Sequence, residues 1–209
     1  MDAAETAEAV RRWLEEEFLK PKDSPNPKAR FHYQFKFPPG PNGHLFSVSM
    51  PRNRDLVAIA SGTRVDGGQQ ANMAKLMGDP RAWGAWVHRI RMLLTQSRVD
   101  WIVHMGHEDG SKGVGPLQAF NVSEPIWLDG LSKNEMMQAL RRLWLAKLSV
   151  IHEIKFRFGP GDRTPGAVDD WGPRGAVEPE PSSASKGPNI IEGDDSGGFG
   201  SGFDPSEWA

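Results

Sequence analysis

Apolar and polar residues alternate without a break from Arg30 to Phe37. Phe31, Tyr33, Phe35 and Phe37 fall on one side and His32, Gln34 and Lys36 on the other. A period of two is that of a half-buried strand. The turn-forming run PPGPNG, residues 38–43, follows, and His44 to Met50 returns with Phe46, Val48 and Met50 in step. A third strand, Leu56 to Ala60, comes after the basic turn Pro51-Arg52-Asn53-Arg54. Further along, Val99, Trp101, Val103 and Met105 alternate with Asp100 and His104 as a fourth strand. Leu117 to Leu128 reads as a fifth, expected to bend or break near Pro125 because proline donates no ladder hydrogen bond.

Elsewhere the period lengthens to that of a helix. Val10, Trp13, Leu14 and Phe18 predict a helix from about Ala3 to Leu19, opened by the capping-box spacing of Asp2 and Glu5 and ended by Pro21, Pro25 and Pro27. Gly62 to Gly78 is polar and glycine-bearing, with room for one short helix around Asn72 to Met77. Asp79 and Pro80 form a cap and first-turn pair for a helix reaching about Gln96, on which Trp83, Trp86, Val87, Ile90, Leu93 and Leu94 keep the period. Ser132 and Glu135 open the longest helix, which Gly159-Pro160 stops near Phe158. Its apolar residues cover more than one narrow stripe, so part of it is expected to close a homodimer. The predicted fold is α+β: a five-stranded antiparallel sheet and three main helices in the order α-βββ-α-ββ-α, because hairpin-length connections leave no room for parallel crossovers.

Charge divides the chain. From Pro160 onward 10 acidic residues stand against 3 basic ones, net −7, while the preceding part holds 17 acidic and 22 basic residues, net +5. Residues 1–159 are read as one binding domain, 160–188 as a Pro/Gly/Ser-rich linker, and 189–209 as an acidic tail whose composition predicts disorder. A basic body with an acidic end points to a polyanion or a partner protein rather than a small substrate. The chain has no Cys, which removes disulfides, thiolate metal sites and Cys nucleophiles. It has no apolar run of the roughly 20 residues that span a bilayer, so a cytoplasmic protein with no membrane partner is expected.

Candidate chemistry is sparse. His104-Met105-Gly106-His107-Glu108-Asp109 gathers metal-ligand types at a strand end, yet without a recognised ligand spacing it reads as a polar loop. The glycines of Gly110 to Gly115 precede a strand instead of a helix N-terminus and match no phosphate loop. No serine stands in a GxSxG elbow. Neither catalysis nor a metal or cofactor is expected. What remains is a surface on which aromatic and basic residues interleave, as binding of single-stranded nucleic acid requires. The charge would come from Arg30, Lys36, Arg52, Arg54, Arg64, Lys75, Arg81, Arg89 and Arg91, beside Phe31, Tyr33, Phe35, Phe46, Trp83 and Trp101. The opposing reading is that an alternating aromatic row is the core face of its strand.

A basic body, a Pro/Gly/Ser linker and an acidic tip with Phe199, Phe203, Asp204, Glu207 and Trp208 is similar to the plan of bacterial single-stranded DNA-binding proteins, whose tips recruit replication and repair proteins. The helix-rich body resembles more closely ThermoDBP, the single-stranded DNA-binding protein of hyperthermophilic crenarchaea. That resemblance implies an archaeal, thermophilic setting, an apolar cleft flanked by basic residues, and dimerisation through the helix from Ser132 to Phe158. The element order also resembles type III secretion chaperone-like domains, which implies a dimer holding extended peptides.

Overall fold

The computed structural model describes residues 2–40, 43–106 and 115–161. Along them run α1 (Ala3–Glu16), β1 (Lys22–Asp23), β2 (Ala29–Phe37), β3 (His44–Pro51), β4 (Leu56–Arg64), α2 (Gly67–Met77), α3 (Pro80–Gln96), β5 (Asp100–Met105), β6 (Leu117–Trp127) and α4 (Lys133–Phe158). One antiparallel sheet takes all six strands in the order β1-β2-β3-β4-β6-β5. The class is the expected α+β with an antiparallel sheet. The described residues form six strands and four helices, where five and three main ones were predicted.

Each extra element has a local cause. β1 lies in the proline-bearing stretch after α1, where Lys22 pairs with Gln34 and Asp23 with Tyr33. The ion pair of Asp23 with Arg11 at 2.7 Å also ties that short edge strand to α1. α2 starts earlier than its polar sequence suggests because Asp66 caps it, accepting from the Gly68 amide at 2.9 Å. Gln69 and Asn72 of α2 then donate to the carbonyls of Gly159 and Phe158, satisfying the end of α4.

Two other expectations shift. α1 ends at Glu16, before the prolines, in a Schellman closure: Leu19 N–H bonds the Leu14 carbonyl at 3.0 Å and Phe18 N–H bonds Glu15 at 2.9 Å. Phe18 takes the left-handed position (φ 59°) and stands 83 % exposed, not on the apolar stripe, while Leu19 turns inward. β6 runs unbroken through Pro125. β5 stops at the level of Ser123, so Pro125 has a strand neighbour on the β4 side only and its missing N–H is tolerated.

Register decides which side chains share a face, since directly paired residues point the same way and neighbours along a strand alternate. Tyr33 pairs with Val48, Val48 with Ile59, Phe35 with Phe46, Val57 with Ile126, Thr63 with Phe120, and Phe120 with Val103. This is the ring face, and the helices cover it. Trp144 of α4 meets Phe37 edge-on at 6.2 Å. Tyr33 donates to the Ala7 carbonyl of α1, and the Arg11 guanidinium lies 4.4 Å above its ring. Trp86 of α3 packs against Phe158 at 4.8 Å, locking the two helices together.

Candidate functional site

The aromatic row of β2 is the floor of the core. Tyr33, Phe35 and Phe46 are 6 %, 3 % and 1 % exposed, so none of the three can stack on a base while the domain is folded. Phe31 is stacked on Tyr33 at 5.2 Å and packed against the core. Trp83 is stacked on Trp86 at 5.1 Å, and Trp101 packs partly buried beside the same cluster. Burial corrects the expected cleft for Tyr33, Phe35 and Phe46, which lie on the face that α1, α3 and α4 close, while Phe31, Trp83 and Trp101 are partly buried at its margin.

The basic candidates divide into separate groups. At the β3–β4 turn, Arg30 donates twice to the Arg52 carbonyl and lies 3.5 Å from Asp55, while Arg52 donates to the Pro27 carbonyl at 2.7 Å. Those two arginines fasten the start of β2 to the turn. Arg54 stacks its guanidinium on Trp127, 5.4 Å from the ring centre. Lys36 and Arg64 are exposed at the opposite end of the sheet. Lys75, Arg81, Arg89 and Arg91 sit in the helix layer, where Lys75 bonds Asn72 and Arg89 pairs with Glu153 at 2.9 Å. The structure does not bring this last group to the sheet residues.

The second face of the sheet has a different composition. In register across it lie Gln34, Ser47, Ala60, Ser123 and Asp100, then Lys36, Leu45, Gly62, Asn121 and Ile102, then Arg64, Ala119 and His104. Small side chains form its centre and are buried, Ala58 and Ala60 at 4 % exposed and Ser123 at 3 %, with Leu56 in the same phase at 1 %. Around them stand the exposed Lys22, Lys36, Arg64 and His104 and, among the described residues, one carboxylate, Asp100. Burial pushes the Asp100 carboxyl up, with the charge of Glu124 adding to the effect. From Leu56 to Arg64 this trough runs roughly 27 Å at about 3.4 Å per residue. At its far end Trp127, in phase with Ala119, Asn121 and Ser123 along β6, is 53 % exposed.

Two histidines belong to the same face. His32 Nδ1 lies 2.7 Å from the Ser24 carbonyl, which makes Nδ1 the protonated nitrogen, and its Nε2 is buried with no partner among the described residues. Burial lowers its pKa, more than the Ser24 bond raises it. His104 Nε2 lies 3.0 Å from Asn121 Nδ2 and therefore accepts; its pKa is lowered by burial. His107 and the tail residues Phe199, Phe203, Asp204, Glu207 and Trp208 lie outside the described residues, as does the linker beyond residue 161. Among the described residues, no three His, Cys, Asp or Glu side chains group as a metal site.

Sequence reasoning missed two residues that stand out. Lys147 is fully buried on α4, donating to Ser61 Oγ at 3.0 Å and the Gly62 carbonyl at 3.2 Å, with its ammonium 5.8 Å from the Phe46 ring. Its helical phase could have shown it, since Lys147 falls four residues after Leu143 and four before Ile151, on the apolar stripe of α4. Trp127 could have been found, since Phe120, Val122 and Ile126 set the inward phase of β6 and Trp127 falls in the other.

This arrangement can bind by surface contact. It aligns no nucleophile with a base among the described residues. The model of the DUF2299 family, described as an uncharacterized conserved protein, matches residues 6–154. The chain belongs to the DUF2299 family. That match spans α1 to Ile154 of α4, so both sheet faces of this DUF2299 protein lie within it. The crystal structure of an uncharacterized protein from Methanothermobacter thermautotrophicus is similar, with a TM-score of 0.63 and 28 % identity over 74 % of this chain and 99 % of that one. No curated protein matches this DUF2299 chain. Among its described residues no helix is long and apolar enough to cross a membrane.

Proposed function

We propose that this DUF2299 protein is a non-enzymatic binder of single-stranded DNA, or RNA, with little sequence preference, and that the strand lies on the small-residue face of the sheet. One observation carries the reading: that face has a low floor with Lys22, Lys36 and Arg64 standing around it and the Arg54–Trp127 pair at its end. Small floor residues admit a flat base, and the surrounding cations answer the phosphates. The net −7 carried from Pro160 onward would repel the strand or compete with it for the same cations, and the aromatic tip would be left to recruit replication or repair proteins.

Anisotropy of a labelled oligonucleotide tests this at low and moderate salt, in the full chain and in one lacking 189–209. If three cations meet phosphates, the log–log salt slope is about −2, at about −0.7 per contact for a single strand. The double charge reversal Lys36→Glu with Arg64→Glu should weaken binding by about tenfold or more. Absence of binding at low salt in both chains sinks the proposal.

The chaperone-like reading retains one specific support. Among the described residues β5 pairs with β6 alone, and between Asp100 at its start and the irregularity at His104–Met105 it carries Trp101, Ile102 and Val103 with neither Lys nor Pro, an edge to which a short extended peptide could add as a strand. Capture of extended peptides with indifference to oligonucleotide would favour it. Dimerisation through α4 belongs to either reading. Leu145 and Phe156, 50 % and 86 % exposed, share the outer side of that helix, so Phe156→Asp should convert a dimer to monomer in sedimentation velocity.

A further inference from the structure

Where β6 ends, beside the start of α1, a cleft of about 580 Å³ opens. That is within the range of small-molecule sites, roughly 300 to 1,000 Å³. Asp2, Arg30, Met50, Asp55, Trp127 and Asp129 are among the residues that line it. Trp127 is a half-exposed indole with a guanidinium, Arg54, on its ring. Arg30 is held in place by the Arg52 carbonyl and Asp55. Asp129 is exposed and makes no hydrogen bond or ion pair among the described residues.

An indole left half in water at the edge of a well-packed domain is a place for another flat ring. The Arg54 cation polarises it further. Trp127 joins the cleft to the small-residue face, since it lines the one and is in phase with Ala119, Asn121 and Ser123 on the other, while Met50 and the start of α1 close the cleft from the helix side. A strand lying on that face therefore ends against this indole. Asp2 and Asp55 are already engaged by the start of α1 and by Arg30. Asp129 is the wrong sign for phosphate and accepts from N–H donors, so the edge of a base that carries an amino group suits it. Among nucleobases, cytosine, adenine and guanine carry an exocyclic amino group, and a carboxylate accepts from the cytosine N4 amino group. Thymine presents a carbonyl oxygen at the corresponding edge, which Asp129 would repel.

We infer that the cleft at the end of β6 is a base-binding subsite, in which an unpaired base stacks on Trp127 and Asp129 selects a base bearing an amino group over thymine. The inference rests on the nucleic-acid reading above and adds to it a local preference that the rest of the face lacks. Its effect is modest, since one exposed carboxylate acts on one base.

Oligo-dC and oligo-dT of equal length, titrated against the full chain at neutral pH, give the test, because the two pyrimidines differ in the amino group without the self-stacking of purines. The wild-type chain should bind oligo-dC about fivefold tighter. Asp129→Asn, whose amide can donate as well as accept, should erase that preference and leave oligo-dT binding equal or improved. Trp127→Ala should weaken both by about fivefold or more, and Trp127→Phe should recover much of the loss. Equal binding of the two oligonucleotides by the wild type, or a preference that survives Asp129→Asn, overturns the subsite while the parent proposal stands. Binding of neither oligonucleotide overturns both.

Discussion

The two faces of one sheet are built from the same strands and read oppositely. The side chains of Tyr33, Phe35, Phe46, Val57, Ile59, Phe120 and Val122 point one way and are sealed under α1, α3 and α4. Between them on the same backbones lie Ser47, Ser49, Ala58, Ala60, Ala119, Asn121 and Ser123. The first set supplies the apolar area that holds the domain together. The second gives up that contribution and keeps a smooth surface with cations around it. Among the described residues the helices lie on one side of the sheet, a division that antiparallel strands allow because one of their faces can do without a second layer.

The sharpest way to break the comparison is to delete a ring from the first face. Phe46 is 1 % exposed, lies among Phe35, Phe37 and the Lys147 ammonium, and belongs to a strand that pairs on both sides. Phe46→Ala should cost about 3–5 kcal/mol in urea unfolding, the range for a large aromatic removed from a core. A loss below about 1 kcal/mol would mean that the ring face is not the core.

A smaller effect separates the faces by pH. The lowered pKa values of His32 and His104 both belong to the small-residue face. A histidine depressed in the folded state binds fewer protons there than in the unfolded chain, so its contribution is complete above the ordinary value of 6.5 and is lost as pH falls toward the folded value. Each such group gives a slope of at most about 1.4 kcal/mol per pH unit. His32 should dominate, since protonating its buried Nε2 creates a donor with no acceptor, whereas His104 is more exposed and its effect is discounted for solvent. Asp100 acts in the other direction: its raised pKa costs stability at neutral pH and the cost is relieved as acid protonates it. Chemical denaturation of His32→Asn should show a flatter loss of stability below pH 6.5 than the parent. An unchanged profile would remove His32 from the account.

How much of this was legible depends on what fixes each feature. The caps at Asp2, Asp79 and Ser132, the α3 span and the β2–β3 hairpin followed from local rules, and all are present. α2 was misjudged because its support is tertiary: Gln69 and Asn72 reach the end of α4, some 86 to 90 residues away. The partners of Lys147, Ser61 and Gly62, likewise come from a strand distant in sequence, whereas its place on the apolar stripe of α4 is local. The aromatic row shows the limit most clearly. Alternation says that Phe31, Tyr33, Phe35 and Phe37 share a side, and cannot say whether that side meets helices or solvent. Small residues in the opposite phase of β4 and β6 were the better guide, since a face on which none of the described helices packs needs little bulk.

The least effect is expected from Ser49→Leu, and its smallness is what makes it informative. Ser49 is half-buried on the small-residue face, opposite His32 on β2 and Ala58 on β4. If that face meets solvent, a leucine there stands beside its neighbours without displacing anything, and stability stays within about 0.5 kcal/mol of the parent. If another part of the molecule is packed on the face, the extra volume must be accommodated and the cost rises to about 1–3 kcal/mol. Urea midpoints separate those outcomes. The same variant raises the floor under the proposed strand, so oligonucleotide affinity should fall while the midpoint holds. Should the two move together, the face would be part of the core after all, and the division of labour between the sheet's sides would be lost.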